Sequence, residues 1–352
     1  MNESGIERVE GDNLDSQFER TRNILIGNEN IAAVDIAPEN LTDRIPVIFA
    51  PGWTGTLPVY KQTIKTIAKE RRRTISFNHP RNSDDIPLSK EGAEMVKEYP
   101  TEQVRKAQTM IRVLEELGVK KADVVAHSEG GAYTAIAALL RPDLFRDVVL
   151  FNPAGLVKKN VVNLAWDAQK QSYKPLDPIG VVPTPEEERV AKEKGFLVIG
   201  DPNEKELGEG KAVADTAGQE SVSYVLANPW RAAKEVWGLS QVEIKDILIK
   251  LHERGVGITV FGSDEDPIYS SREMQNVLKD TGIKFISVNP GHGVIGEQVK
   301  YTQLAARELE NLNKKRVPPA SSLMARLRGQ EGAQAIKPTS LMERLRKIDD
   351  ES

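Results

Sequence analysis

The apolar run Ala122-Asp123-Val124-Val125 leads directly into Ala126-His127-Ser128-Glu129-Gly130-Gly131-Ala132, and this junction constrains the fold more than any other stretch of the chain. It reads as a buried strand turning into a helix through a serine set between small residues. So sharp a turn needs small side chains two positions before and after the turning residue, because bulk there collides with neighbouring strand and helix backbone. Ala126 and Gly130 meet that need. A serine hydroxyl is a weak nucleophile unless an imidazole takes its proton, and the imidazole in turn needs a carboxylate to orient it. A working serine at this turn therefore requires partners elsewhere in the chain.

The junction resembles the nucleophile elbow of the α/β-hydrolase family, Gly-x-Ser-x-Gly, with Ala126 in place of the first glycine. Four histidines are available as base. His79 precedes Pro80, His127 adjoins the serine, and His252 lies in the helix-like stretch Val242 to Arg254. His292, in Asn289-Pro290-Gly291-His292-Gly293, follows the late strand candidate Lys284 to Val288, where the resemblance implies the base. The orienting acid is expected after the preceding strand, Val256 to Phe261, which runs into Gly262-Ser263-Asp264-Glu265-Asp266-Pro267. Asp266-Pro267-Ile268 is similar to the family's Asp-Pro-(Ile/Leu/Val) signature, so the resemblance implies Asp266, with Asp264 in reserve. A structural reading of Asp266 stands beside this one: it caps a helix starting near Ser270 or opens a turn with Pro267. The order Ser128, Asp266, His292 is the family's order. For the oxyanion, the resemblance implies the N–H of Glu129 and that of Trp53, in the loop Ala50-Pro51-Gly52-Trp53-Thr54-Gly55-Thr56 after the strand Ile45 to Phe49. Pro51 stands where the family usually has histidine.

Other chemistries find less support. The absence of cysteine excludes thiolate zinc sites, a thiol nucleophile and disulfides. There is no His-Glu-x-x-His pattern and no phosphate-binding loop; in Glu206-Leu207-Gly208-Glu209-Gly210-Lys211 the lysine is followed by Ala212 rather than a hydroxyl. No metal or cofactor is expected. Lys and Arg number 48 against 52 Asp and Glu, a formal charge of −4 that gives no pull toward nucleic acid. No run reaches the ~20 apolar residues of a membrane span, and the polar start Met1-Asn2-Glu3-Ser4-Gly5 is unlike a secretory signal. A cytoplasmic location is the expectation.

Alternation over Arg22 to Ile26 and Ile31 to Ile36 suggests an opening hairpin. Central strands are expected at Val47–Phe49, Thr74–Phe77, Val124–Ala126, Val148–Phe151, Ile258–Phe261 and Phe285–Val288, with helices between them, as in Val59–Arg71 and Val104–Leu117. The expected class is α/β: a mainly parallel, twisted sheet with helices on both faces. Residues 1–156 and 242–316 form the two parts of its core, and residues 157–241 form an insertion. In the resembling family an insertion here is a lid. Helix-like pieces occur near Pro185–Lys194 and Val222–Val236, and Trp166, Tyr173, Trp230 and Trp237 either line the substrate site or fill the lid's own core.

Residues 317–352 read as a tail in which Ser322-Leu323-Met324-Ala325-Arg326-Leu327-Arg328 returns as Ser340-Leu341-Met342-Glu343-Arg344-Leu345-Arg346. Two readings stand: a duplicated motif docking a protein partner, or a solvated tail. Taken together, the resemblance implies a serine hydrolase acting on an ester or related acyl bond of a small-molecule acyl substrate. Acyl transfer, peptide cleavage and carbon–carbon hydrolysis share the same machinery. A non-catalytic interaction protein recruited by its tail is the rival from another class.

Overall fold

Among the described residues, eight strands, numbered in chain order, pair into one sheet in the order β1-β2-β4-β3-β5-β6-β7-β8. The computed structural model describes residues 10–79, 86–164, 167, 221–264, 266–288, 292 and 299–316. After helix α1 (Glu10–Glu19), β1 (Arg22–Ile26) and β2 (Glu29–Ile36) form the expected hairpin, with Ile24 opposite Ile31. The remaining strands are β3 (Asp43–Ala50), β4 (Arg72–Phe77), β5 (Ala122–His127), β6 (Phe145–Phe151), β7 (Gly257–Ser263) and β8 (Lys284–Val288). From β4 to β8 every pair is parallel, while β2 meets β4 antiparallel.

Parallel strands buried on both faces alternate their side chains between two cores. Ile48, Val124 and Leu150 point to one core, which α4 (Thr101–Glu116), α5 (Glu129–Leu140) and α7 (Lys245–Glu253) cover. The neighbouring Val47, Val125 and Phe151 point to the other, beneath α1, α2 (Lys61–Lys69) and α9 (Val299–Arg316). The short α3 (Lys90–Met95) precedes α4, and α8 (Ser271–Leu278) lies between β7 and β8.

From β3 the chain steps outward to β4, then returns to place β5 on the other side of β3. Such a reversal of winding opens a crevice at the carboxyl ends of the two inner strands. The loops after β3 and β5, carrying Trp53 and Ser128, both leave from that point.

One sequence expectation changes. The helix foreseen over Val222–Val236 is two pieces, residues 221–227 and α6 (Pro229–Gln241), parted at Asn228. Pro229 lacks an N–H and disfavours helical geometry in the residue before it, so Asn228 takes φ −137° and a new helix starts at the proline. Trp230 and Trp237 on α6 are 85% and 61% exposed, so neither fills a lid core. Trp166, Tyr173, the stretch Pro185–Lys194 and the tail from residue 317 lie outside the described residues.

Candidate active site

Between the end of β5 at His127 and the start of α5 at Glu129, Ser128 alone makes the turn, with φ +52° and ψ −120°. A side chain at positive φ costs on the order of 1–3 kcal/mol, so the surroundings must hold it. They do so through the main chain: the Ser128 N–H donates to the Phe151 carbonyl at 2.9 Å, and its carbonyl accepts from Gly131 and Ala154, each at 2.9 Å. The small residues behave as the sequence requires. A Cβ at Gly130 would lie 2.2 Å from the Ala50 carbonyl oxygen, and Ala126 is fully buried. Gly52 lets the loop after β3 press close, since a Cβ there would come within 3.2 Å of the Ser128 Cβ.

Ser128, His292 and Asp266 meet although they are far apart in sequence. The Ser128 hydroxyl is 2.9 Å from His292 Nε2, and His292 Nδ1 is 2.7 Å from Asp266 Oδ2. With the carboxylate at Nδ1, that nitrogen carries the proton and Nε2 presents its lone pair to the serine. The other carboxylate oxygen of Asp266 accepts the N–H groups of Ile268 and Tyr269 at 2.7 and 3.0 Å. The turn at Pro267 and the contact with histidine are thus one arrangement, each using its own oxygen. Capping falls to Ser270 instead, whose hydroxyl accepts the Glu273 N–H at the start of α8. Asp264, the reserve acid, is exposed and takes the Ser287 hydroxyl at 2.5 Å.

Trp53 follows Gly52 in a turn closed by the Gly55 N–H on the Gly52 carbonyl at 3.0 Å, with Thr54 at φ +58°. Glu129 is the first residue of α5, where N–H groups have no acceptor within the helix and the helix dipole is positive. Glu129 thus follows the serine directly in the chain, and Gly52, the residue before Trp53, lies against the Ser128 side chain.

Sequence reasoning missed what the Glu129 side chain does. It is wholly buried and takes Lys106 Nζ on both oxygens at 2.7 Å, with Gln103 Nε2 at 3.0 Å. The same ammonium lies 3.3 Å from Glu235 on α6, and Glu235 also accepts Trp53 Nε1 at 2.8 Å and the Tyr224 hydroxyl at 2.9 Å. Burial works against the Lys106 ammonium, but Glu129 and Glu235 outweigh it and raise its pKa. Two carboxylates sharing one cation are driven apart. Burial pushes Glu129 up; it opposes ionisation of Glu235 too, but there Lys106 and the Trp53 and Tyr224 donors prevail and lower the pKa. A signal was available in the sequence: a charge in the first turn of the otherwise apolar helix Glu129–Leu140 has to be paired if that helix is buried.

Two further histidines are also inside. His79 stands edge-on to Phe77 and Tyr133, with ring centroids 5.1 and 4.6 Å apart. Burial, then the charges of Lys106 and Arg231, hold its pKa well below the ordinary value, so it is neutral. His127 bonds Tyr60 and the main chain of His292.

Comparison with known proteins gives the same architecture. A family profile described as alpha/beta hydrolase fold matches residues 45–238, more than half of the chain. A serine hydrolase, CCSP0084 from Cycloclasticus zankles, superposes with TM-score 0.54 over 83% of this chain and 98% of its own at 17% identity. A structure from work on the carboxylesterases of the thaumarchaeon Nitrososphaera gargenis gives TM-score 0.53 at 12% identity, covering 84% of this chain and 99% of that one. The enol-lactonase of Burkholderia xenovorans LB400 gives 0.52 at 10% identity, over 83% and 100% of the two chains. At these identities the likeness is one of fold. In sequence, the uncharacterized hydrolase YugF of Bacillus subtilis (strain 168) is 44% identical over 54 residues, which span 15% of this chain and only 20% of that protein.

Proposed function

This chain belongs to the α/β-hydrolase fold family, and from that premise we propose that it is a serine hydrolase cleaving a carboxylic ester or related acyl bond through an acyl-enzyme. One observation carries the reading: a strained serine at φ +52° joined by hydrogen bonds of 2.9 and 2.7 Å to a histidine and then an aspartate.

In this reading Ser128 Oγ attacks the acyl carbon while His292 Nε2 takes the hydroxyl proton, and Asp266 stabilises the imidazolium that forms. Negative charge on the former carbonyl oxygen is met by the N–H groups of Glu129 and Trp53. His292 then protonates the departing alcohol, leaving the acyl group esterified to Ser128. Water repeats the attack with His292 again as base, releasing the acid and restoring the serine. The names of two fold neighbours, carboxylesterase and enol-lactonase, accord with an acyl substrate. We read residues 157–241 as a cap on the crevice. Its described end supports this, because Glu235 bonds the indole of Trp53 and the Ser221 hydroxyl meets that of Thr54 at 2.5 Å.

A fluorophosphonate probe tests the reading, together with p-nitrophenyl esters of increasing acyl length. Wild type is expected to take one probe per chain and to turn over at least one ester, and Ser128→Ala to do neither while folding normally. A wild type that neither labels nor turns over overturns it.

A further inference from the structure

His127, the residue before the serine, is 5% exposed, and both its ring nitrogens are engaged. Nε2 lies 2.7 Å from the carbonyl oxygen of His292, and Nδ1 lies 2.8 Å from the Tyr60 hydroxyl. A carbonyl only accepts, so Nε2 carries the proton. Nδ1 is then a lone pair, and the Tyr60 hydroxyl must donate to it. The ring has room because residue 52 is glycine: a Cβ there would stand 3.0 Å from Nδ1.

Asn152 supplies a second donor to the same carbonyl, through Nδ2 at 3.2 Å. That residue is itself fixed between strands, accepting the Ser263 N–H on Oδ1 at 2.7 Å and donating its own N–H to Phe261 at 2.9 Å. His292 is therefore held at both ends. Its ring bonds Ser128 and Asp266, and its main chain bonds His127 and Asn152. Consecutive residues at the tip of β5 grip opposite ends of one histidine.

We infer that His127 is a positioning residue for the reaction: as a neutral, Nε2-protonated imidazole it fixes the main chain of His292 and so sets where the base meets Ser128. The inference rests on the reading of His292 as base. Its neutrality has a physical cause, since burial and then the adjacent His292 push the His127 pKa down to about 3, against smaller opposing effects of the bond to the His292 carbonyl and of Asp266. A group of this kind holds geometry without exchanging protons during turnover.

Two variants and one spectrum test this. His127→Phe fills the ring volume without a donor, and His127→Gln keeps an amide N–H near the Nε2 position. With active sites counted by fluorophosphonate end-point, His127→Phe is expected to lower kcat ~100-fold with KM within about twofold, the scale on which small misplacements of a reacting group act. His127→Gln should recover most of that loss. In a two-bond 15N–1H spectrum, His127, assigned by its disappearance in the glutamine variant, should appear as the neutral Nε2-protonated form from about pH 5 to about pH 8. A phenylalanine variant with wild-type kcat per labelled site, a loss confined to KM, or a glutamine variant no better than phenylalanine would overturn the inference. So would a cationic or Nδ1-protonated His127 in the spectrum, a result that does not depend on any variant folding well. A wild type that takes no label overturns the hydrolase reading and this inference with it, whereas a reactive wild type with an equally fast phenylalanine variant overturns the inference alone.

Discussion

Strand β5 has buried carboxylates at both ends, and they are paired in different ways. At its start Asp123 receives Arg72 Nη2 at 2.6 Å and Arg146 Nε at 2.8 Å, while Arg146 also reaches Asp43 at 2.6 Å. These four residues come one each from β3, β4, β5 and β6, adjacent strands already joined by main-chain ladders, and Asp147 on β6 adds a third carboxylate 3.5 Å from Arg146. Just past the other end, Glu129 and Glu235 share Lys106, and the three come from α5, α4 and α6. That cluster joins three helices rather than paired strands, with Lys106 between two carboxylates and Arg231 at 3.4 Å from Glu235. The contrast teaches that similar charge serves different ends. Asp123 reinforces a sheet that other forces already align, whereas Lys106 fastens helices that meet beside the serine.

The comparison can be broken by experiments that separate stability from turnover. The largest effect expected is that of Ser128→Ala, a loss of ~10³-fold or more in ester turnover with little change in the midpoint of thermal unfolding. If stability falls as far as activity does, the serine is a structural residue and the two ends are alike.

Next comes Lys106→Met, which leaves the buried Glu129 without its cation and Glu235 with Arg231 alone, and should cost about 3–5 kcal/mol in urea unfolding. Asp123→Asn keeps the shape but turns one of two accepting oxygens into a donor that faces a guanidinium, so it too should destabilise the fold, with kcat per folded molecule unchanged. The contrast is sharpened if Lys106→Met also lowers kcat in its folded fraction, and is lost if both variants affect turnover equally.

Acid should act through the buried histidines. His127, with its pKa at about 3, and His79, also lowered, are neutral when folded, while their unfolded forms take up protons below the ordinary value of 6.5. The unfolded state then binds more protons, so their contribution is complete above pH 6.5 and is lost as pH falls from there toward the folded values. Urea unfolding across that window should show the decline, with a shallower slope in His127→Gln. A slope unchanged by the substitution would count against a buried neutral ring.

The smallest effect expected is a gain. Ser128→Gly removes the side chain from a positive-φ site and should stabilise the fold by about 1 kcal/mol while abolishing turnover. A destabilised glycine variant would mean that the elbow stores no strain.

Much of this was legible because it is written locally. The elbow, the hairpin and the Asp266-Pro267-Ile268 turn each occupy a few consecutive residues whose sizes and polarities state their geometry, and the structure brings Ser128, Asp266 and His292 together. The role of Pro229 in parting two helices was equally local, and apolar periodicity over Val222–Val236 obscured it. What stayed hidden depends on distance along the chain. Lys106 looks like one more surface charge on an amphipathic helix until α5 is laid against it, and Glu235 lies more than a hundred residues from Glu129, which it neighbours through Lys106. His127 was hidden for another reason: nothing in its own neighbourhood states that its ring turns toward the main chain of residue 292.

Strands β6 and β7 lie side by side, Asp147 opposite Gly257 through Phe151 opposite Phe261, although the chain makes its longest excursion between them. Register there is set by the two strands themselves rather than by the length of chain that joins them. In the proposed reading, a change within the cap alters which substrates enter, while the strand ends that carry Ser128, Asp266 and His292 keep the alignment the sheet gives them.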